Sequence, residues 1–416
     1  MRFDASTESL RMRAIDRVVH DTIRALLLLR GETAAQALAT QLVRRIDELD
    51  DEGFDHLFGH LLDAHGADPA AIDAAIDAYS KDPSPDTIAD LADATETGRL
   101  ELFRTINTAA GGIACLLRMR VKLRTSMRTA PEFAPIERDL RHLLESWFNR
   151  GFLTLRQLDW QTPAHILEKL IEYEAVHEIR GWDDLRRRLA PDRRSFGFFH
   201  PSLPDEPIIF VEVALTNGMA ARISDILDEP VIDSDEPPDF DTAIFYSITN
   251  CQRGLRGISF GNFLIKQVAS CLGEELPQLK TFATLSPVPG FRRWLDENEI
   301  DVDPENELEI VAACAKFLLN ERSRELPADP VARFHLRNGA RLERINWQGD
   351  LSEKGLRESH GLLVNYRYSG QDFDANRDAL EIEGIVIASE AVIASGGEAI
   401  DRSLVATSPT EVAELS

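Results

Sequence analysis

Cysteine is scarce in this chain of 416 residues, and its four copies, Cys115, Cys251, Cys271 and Cys314, are widely separated. They form neither a Cys-x-x-Cys pair nor the dense framework of a disulfide-stapled domain, so the chain reads as reduced and intracellular. Long apolar runs are also missing. Nothing approaches the roughly 20 residues that cross a bilayer, and the early apolar stretch 25–29 is short, follows a charged amphipathic segment and has no cleavage-like site. Neither a membrane span nor secretion is expected. Basic residues are outnumbered, 46 Lys and Arg against 71 Asp and Glu, for a net charge of −25. That balance argues against a nucleic-acid partner, which needs a dominant basic face. Such acidity serves solubility, and any anionic ligand has to be met by a local basic cluster working against the overall field. The ending Glu414-Leu415-Ser416 is not a peroxisomal tripeptide, and the expected compartment is the cytoplasm. Internal repeats and low-complexity tracts are absent.

A chain of this length leads to an expectation of two domains. From residue 9 to about 149, apolar side chains recur at three-to-four spacing, as in Leu10, Ala14, Val18, Ile23 and Leu27, and β-branched runs are few. That half reads as a helical bundle, with ends marked by Gly31, by Thr33 with Gln36 and by Ser84-Pro85. After about residue 153 short β-rich segments appear at 195–199, 208–215, 242–249, 281–285 and 362–368, separated by helical stretches such as 261–272 and 307–319. Alternation of this kind implies an α/β or α+β second domain. The acidic, proline-rich stretch 228–239 is expected to be a mobile surface loop. Residues 375–395 return to helical spacing, and the last dozen or so residues read as frayed.

Strand 242–249 runs through Asn250-Cys251-Gln252-Arg253-Gly254-Leu255-Arg256-Gly257-Ile258-Ser259-Phe260-Gly261-Asn262 into an apolar helix. Strand, glycine loop and helix make a phosphate-site order, in which successive N–H groups and a helix N-terminus face an anion. Arg253, Arg256 and Lys266 supply the local basic cluster. The glycines fit neither Gly-x-Gly-x-x-Gly nor a Walker pattern, so hydride chemistry is unsupported, and a plain glycine-rich turn is the alternative reading.

In Thr284-Leu285-Ser286-Pro287-Val288-Pro289-Gly290-Phe291, Pro287 biases Ser286 toward extended backbone and Pro289-Gly290 makes a turn, which holds the hydroxyl at the end of a strand. Phe334-His335-Leu336-Arg337-Asn338-Gly339 places an imidazole before a turn signal, at a strand edge or loop mouth. Alone, each residue has an ordinary structural reading, and no Gly-x-Ser-x-Gly elbow surrounds Ser286. His56 and His60, with His65 nearby, lack the glutamate of a His-Glu-x-x-His site and read as a helix-surface pair, so no metal is expected. Arg118, Arg120, Lys122, Arg124 and Arg128 read as a solvated face or subunit contact. Arg186-Arg187-Arg188 and Arg193-Arg194 are expected to pair with acids of the first domain, with a substrate role as the minor alternative.

Several ordered segments together resemble the malonyl-CoA decarboxylase family: 176–185, 200–215, the 250–262 loop, 285–291, 331–340, Arg344-Ile345-Asn346-Trp347 and 361–368. The match is dense from about 155 to 370 and thinner in the helical half. The resemblance implies an α+β chain, with an all-helical oligomerisation domain over 1–155 and a GNAT-type, acetyltransferase-like α/β catalytic domain over 156–416, assembled as a homotetramer in fatty acid metabolism. It implies Ser286 and His335 as the catalytic pair and places the acyl-CoA loop on Arg256 to Asn262, with malonyl-CoA as substrate and no cofactor besides the CoA thioester. The 254/257/261 glycine spacing departs from the usual acetyltransferase loop.

Decarboxylation leaves an enolate on the thioester, so main-chain N–H groups near the loop and the helix start are expected to stabilise the oxyanion. A histidine titrating near neutral pH suits protonation of the carbanion, which falls to His335. Ser286 is expected to bind the departing carboxylate or relay a proton. Tyr366 and Tyr368, which alternation puts on one strand face, would orient polar groups. Two alternatives stay open here: a CoA-dependent acyltransferase on the same fold, and a non-enzymatic acyl-CoA-binding scaffold.

Overall fold

A computed structural model describes residues 5–29, 31–228, 239–258 and 263–415. The chain divides into two compact units: 1–153 with 200–204 and 252–259, and 154–199 with 205–251 and 260–416. Most of the acidic stretch read as a surface loop, 229–238, lies outside the described residues.

In the first unit, the described residues form eight α-helices from Ala5–Leu28 to Ala134–Trp147. Their three-to-four spacing turns one stripe of each main helix inward, so that Val19, Ile23, Leu42, Ile46, Leu57, Phe58, Leu61, Phe103, Ile106, Leu116 and Leu140 share one core. Ser84 and Thr87 form a reciprocal capping box at helix Pro85–Thr95. Thr33 and Gln36 do not: the N-cap of helix Glu32–Ile46 is Gly31, two residues earlier, and Gln36 donates to the Thr108 carbonyl instead. The basic run on helix Gly112–Ser126 is a paired face. Arg118 and Lys122 reach Asp47 and Asp51, while Arg120 and Arg124 converge on Glu137.

The second unit is built on a mixed sheet of β1 (Thr154–Leu158), β2 (Arg193–His200), β3 (Leu203–Thr216), β4 (Thr242–Asn250), β5 (Thr281–Thr284), β6 (Ser286–Pro287), β9 (Arg341–Asn346) and β10 (Leu363–Tyr368). The short pairs β7 (Arg322–Ser323) with β8 (Leu326–Pro327), and β11 (Val386–Ile387) with β12 (Val405–Ala406), stand apart from it. The sheet is antiparallel except for β4 and β5, which run parallel and are joined through helix Phe263–Glu275. Successive β3 residues from Pro207 to Leu215 are all buried, as a strand covered on both faces requires. β5 and β6 lie in line along one edge of β10, and β9 lies along the other.

Two expectations need correction. Residues 375–395 are not continuously helical, because β11 separates helices Phe373–Glu383 and Glu390–Ser395. The last dozen residues as far as Leu415 are not frayed: β12 pairs with β11, and helix Pro409–Leu415 follows. Among the described residues, no helix is long and apolar enough to cross a membrane.

Candidate active site

The site begins where two parallel strands part. β4 pairs with β5 from Thr242 to Phe245, and Leu285 N–H still donates to the Phe245 carbonyl. Ser286 then leaves β4 and pairs with Val364 of β10, while β4 continues to Asn250. Glu174 holds this far part of β4, accepting from Ser247 Oγ at 2.7 Å and Thr249 Oγ1 at 3.3 Å. Pro287 keeps Ser286 extended at the break, as its position predicts.

His335 reaches the same place from elsewhere in the fold than expected. It lies on helix Pro330–Arg337, not at a strand edge or loop mouth, and the Asn338-Gly339 turn ends that helix. Gly339 has φ +80°, and a Cβ there would stand 2.2 Å from the Phe373 carbonyl oxygen, so only glycine fits.

Ser286 Oγ and His335 Nε2 are 3.0 Å apart, and both residues are buried. The serine hydroxyl donates to Thr284 Oγ1 at 2.9 Å, and that oxygen also accepts the Tyr366 N–H at 3.2 Å. With its proton committed there, Ser286 accepts from His335 Nε2–H, which leaves Nδ1 to accept from the Tyr368 hydroxyl at 2.8 Å. The Tyr366 ring lies against the imidazole, and its hydroxyl is buried with no hydrogen-bond partner among the described residues. Both tyrosines therefore meet His335, as alternation on one strand predicts. Sequence reasoning missed Thr284. It also missed Asn365, which donates to the Thr284 carbonyl at 2.7 Å and accepts from Arg344 and Asn346.

The imidazole does not titrate near neutrality. Burial pushes its pKa down from 6.5 to about 3, so the proton it offers is the Nε2–H of a neutral ring. Burial holds both tyrosine hydroxyls well above their usual value, so they remain donors.

Of the glycine loop, Ser259, Phe260, Gly261 and Asn262 lie outside the described residues. Arg253–Leu255 form a single 3-10 turn belonging to the first unit. Arg120 donates to the Gly254 carbonyl at 2.5 Å, and a Cβ on Gly254 would stand 2.6 Å from the Leu117 carbonyl oxygen. Ile258 is buried, Arg253 and Arg256 are exposed, and Gly257 has φ +84°. Lys266 is not a free member of the basic cluster, since it pairs with Asp374 at 3.3 Å.

The arginines near the domain border have partners inside the second unit: Arg187 and Arg193 pair with Asp192, Arg188 with Glu212, and Arg194 with Glu275. His56 pairs with Asp16, whereas His60 stacks on His20 and touches His65. Among the described residues, no group of three or more His, Cys, Asp or Glu side chains has metal-ligand geometry.

Comparison with known proteins agrees across the chain. The profile of the malonyl-CoA decarboxylase C-terminal domain matches residues 151–309 and 301–403, and that of the N-terminal domain matches 65–148. Mitochondrial malonyl-CoA decarboxylase of Anser anser anser is 34% identical over 342 residues, covering 70% of this chain and 68% of its own. The Mus musculus enzyme of the same name is 37% identical over 317 residues, or 64% of each chain. Crystal structures of malonyl-CoA decarboxylase from Agrobacterium vitis and Rhodopseudomonas palustris superpose with TM-scores of 0.85 and 0.84 at 46% and 42% identity. Each covers 91% of this chain and, respectively, 100% and 98% of its own.

Proposed function

The chain belongs to the malonyl-CoA decarboxylase family, and we propose that Ser286 and His335 carry out its carboxy-lyase reaction, the conversion of malonyl-CoA to acetyl-CoA and carbon dioxide. The observation behind this reading is the 3.0 Å contact between Ser286 Oγ and His335 Nε2, made across 49 residues of chain beside the parting of β4 and β5.

The bond between the carboxylate carbon and its neighbour breaks, and its electron pair moves onto the thioester as an enolate. The barrier falls if fixed donors face the developing oxyanion. The part of β4 beyond Phe245, which has left its β5 partner, offers main-chain N–H groups for this role. Ser286 turns its hydroxyl from Thr284 to the departing carboxylate. His335 Nε2–H then protonates the enolate carbon: the N–H bond breaks, the C–H bond forms, and the Tyr368 hydroxyl passes its proton to Nδ1; a proton from water then returns to Nε2 as Nδ1 gives its proton back to the Tyr368 oxygen, which restores the starting tautomer. A neutral imidazole is a workable acid here, as in triosephosphate isomerase, where a neutral histidine serves as the electrophile.

We assign the CoA phosphates to residues 253–262, on the strength of exposed Arg253 and Arg256 and the left-handed backbone at Gly257. In the same reading, the helical part assembles the chain as a dimer or tetramer, the catalytic part is acetyltransferase-like, no metal or further cofactor takes part, and the enzyme serves fatty acid metabolism in the cytoplasm. Incubation with malonyl-CoA and no acyl acceptor tests the activity. Acetyl-CoA and carbon dioxide in equal amounts are expected, whereas acetyl transfer to an added amine without carbon dioxide release would mark an acyltransferase.

A further inference from the structure

Asp329 is almost completely buried, and its two carboxylate oxygens serve different elements. Oδ1 accepts the N–H groups of Val331 and Ala332 at 2.9 and 2.8 Å, capping the helix that carries His335. Oδ2 accepts the Gly290 N–H at 3.2 Å, at the far end of the Ser286-Pro287-Val288-Pro289 segment. The approach is close: a Cβ on Gly290 would lie 3.1 Å from Phe317 Cζ and 3.3 Å from Asp329 Oδ2. Three N–H donors from two elements converge on one side chain, and an ionised carboxylate meets them because it is an acceptor at both oxygens. Its charge does not set the state of the ring, since burial alone moves the His335 pKa. What Asp329 controls is distance.

We propose that Asp329 is a positioning residue for the reaction, a single carboxylate that ties the Ser286 turn to the His335 helix and so holds Oγ and Nε2 at hydrogen-bond separation. The inference rests on Ser286 and His335 being the catalytic pair.

Asp329→Asn and Asp329→Ser in the full chain test it. Asparagine keeps a carbonyl oxygen for the helix cap but turns an amino group toward the Gly290 N–H, donor against donor. Serine also caps a helix well but has no second arm. Both variants are expected to fold, with kcat on malonyl-CoA lower by on the order of 100-fold, as displacement of a reacting group by about 1 Å produces, and with KM little changed. In protein labelled with ¹⁵N-histidine, the His335 Nε2 resonance is expected to move in both, because its partner at Oγ is displaced. A residue that only stabilises the fold would lower Tm and leave both readouts at their native values. Folded variants with native kcat and an unmoved Nε2 resonance overturn the proposal. If Ser286→Ala and His335→Gln retained native turnover, the catalytic pair would be wrong instead, and the Nε2 resonance alone would decide whether Asp329 sets the spacing.

Discussion

Tyr366 lies nearly flat against His335, with ring centroids 4.7 Å apart and planes 23° from parallel, while its own hydroxyl finds no partner among the described residues. The stack fixes the imidazole plane, and a buried unpaired hydroxyl costs about 1–3 kcal/mol. Tyr366→Phe keeps the stack and removes the orphan group, so its Tm is expected to equal or exceed the native value. We propose that this hydroxyl meets the bound substrate, and kcat/KM is then expected to fall roughly tenfold, about 1.4 kcal/mol of lost transition-state binding. Unchanged kcat/KM would show that the Tyr366 hydroxyl does not meet the substrate.

Thr284 decides where the Ser286 proton points. Thr284→Val nearly preserves the shape but takes away the acceptor of both Ser286 Oγ–H and Tyr366 N–H. Loss of about 1–3 kcal/mol in stability is expected from the unpaired N–H. With its former acceptor gone, Ser286 would donate to Nε2 and reverse the ring tautomer. Turnover should then fall by about 10²-fold or more, the usual contribution of a positioned acid. Steady-state kinetics beside urea unfolding would separate the two effects.

Acid should unfold the protein through its buried histidines. Burial pushes His335 to about 3 and His177 to about 4, both from 6.5. Between those values and 6.5, the unfolded chain takes up protons that the folded protein refuses. Their stabilising contribution is therefore complete above 6.5 and is lost as pH falls toward 3. His335→Phe should flatten the dependence of unfolding free energy on pH between 4 and 6.5. For the same reason, His335 should give kcat/KM no inflection near pH 6.5. An inflection there that vanished in His335→Gln would contradict the neutral-ring account.

Much of this site could be read in advance, for identifiable reasons. β2 to β5 and β10 are apolar, β-rich runs bounded by turn residues. Pro287 forces the extended backbone that Ser286 shows. The Asn338-Gly339 turn signal points His335 to a strand edge or loop mouth, but Asp329-Pro330 is an N-cap and first-turn signal and places the residue on a helix. β9 lacks the sequence signal of a strand because Arg341, Glu343 and Arg344 are charged and only half-buried, and the irregular register between Leu342 and Arg344 breaks the alternation. The partners of the arginines and the depressed His335 pKa depend on burial between distant segments, which no local pattern encodes.

Arg120 is the buried link between helix Gly112–Ser126 and the Gly254 turn, with Glu137 as its counterion. Arg120→Ala leaves the Gly254 carbonyl unmatched and Glu137 with the exposed Arg124 as its remaining cation, and a loss of about 3 kcal/mol is expected. Gly254→Ala leaves the charges intact but forces the turn away from Leu117. If this turn helps to hold the CoA phosphates, both variants should raise KM for malonyl-CoA more than they lower kcat. Native KM in folded Gly254→Ala would free residues 253–258 from that role.

The central claim is tested most directly by measuring carbon dioxide release from malonyl-CoA, without an acceptor, by the native enzyme and by folded Ser286→Ala and His335→Gln. The account predicts rapid release by the native enzyme and turnover lower by at least about 10²-fold in each variant. Native rates in either folded variant would contradict it.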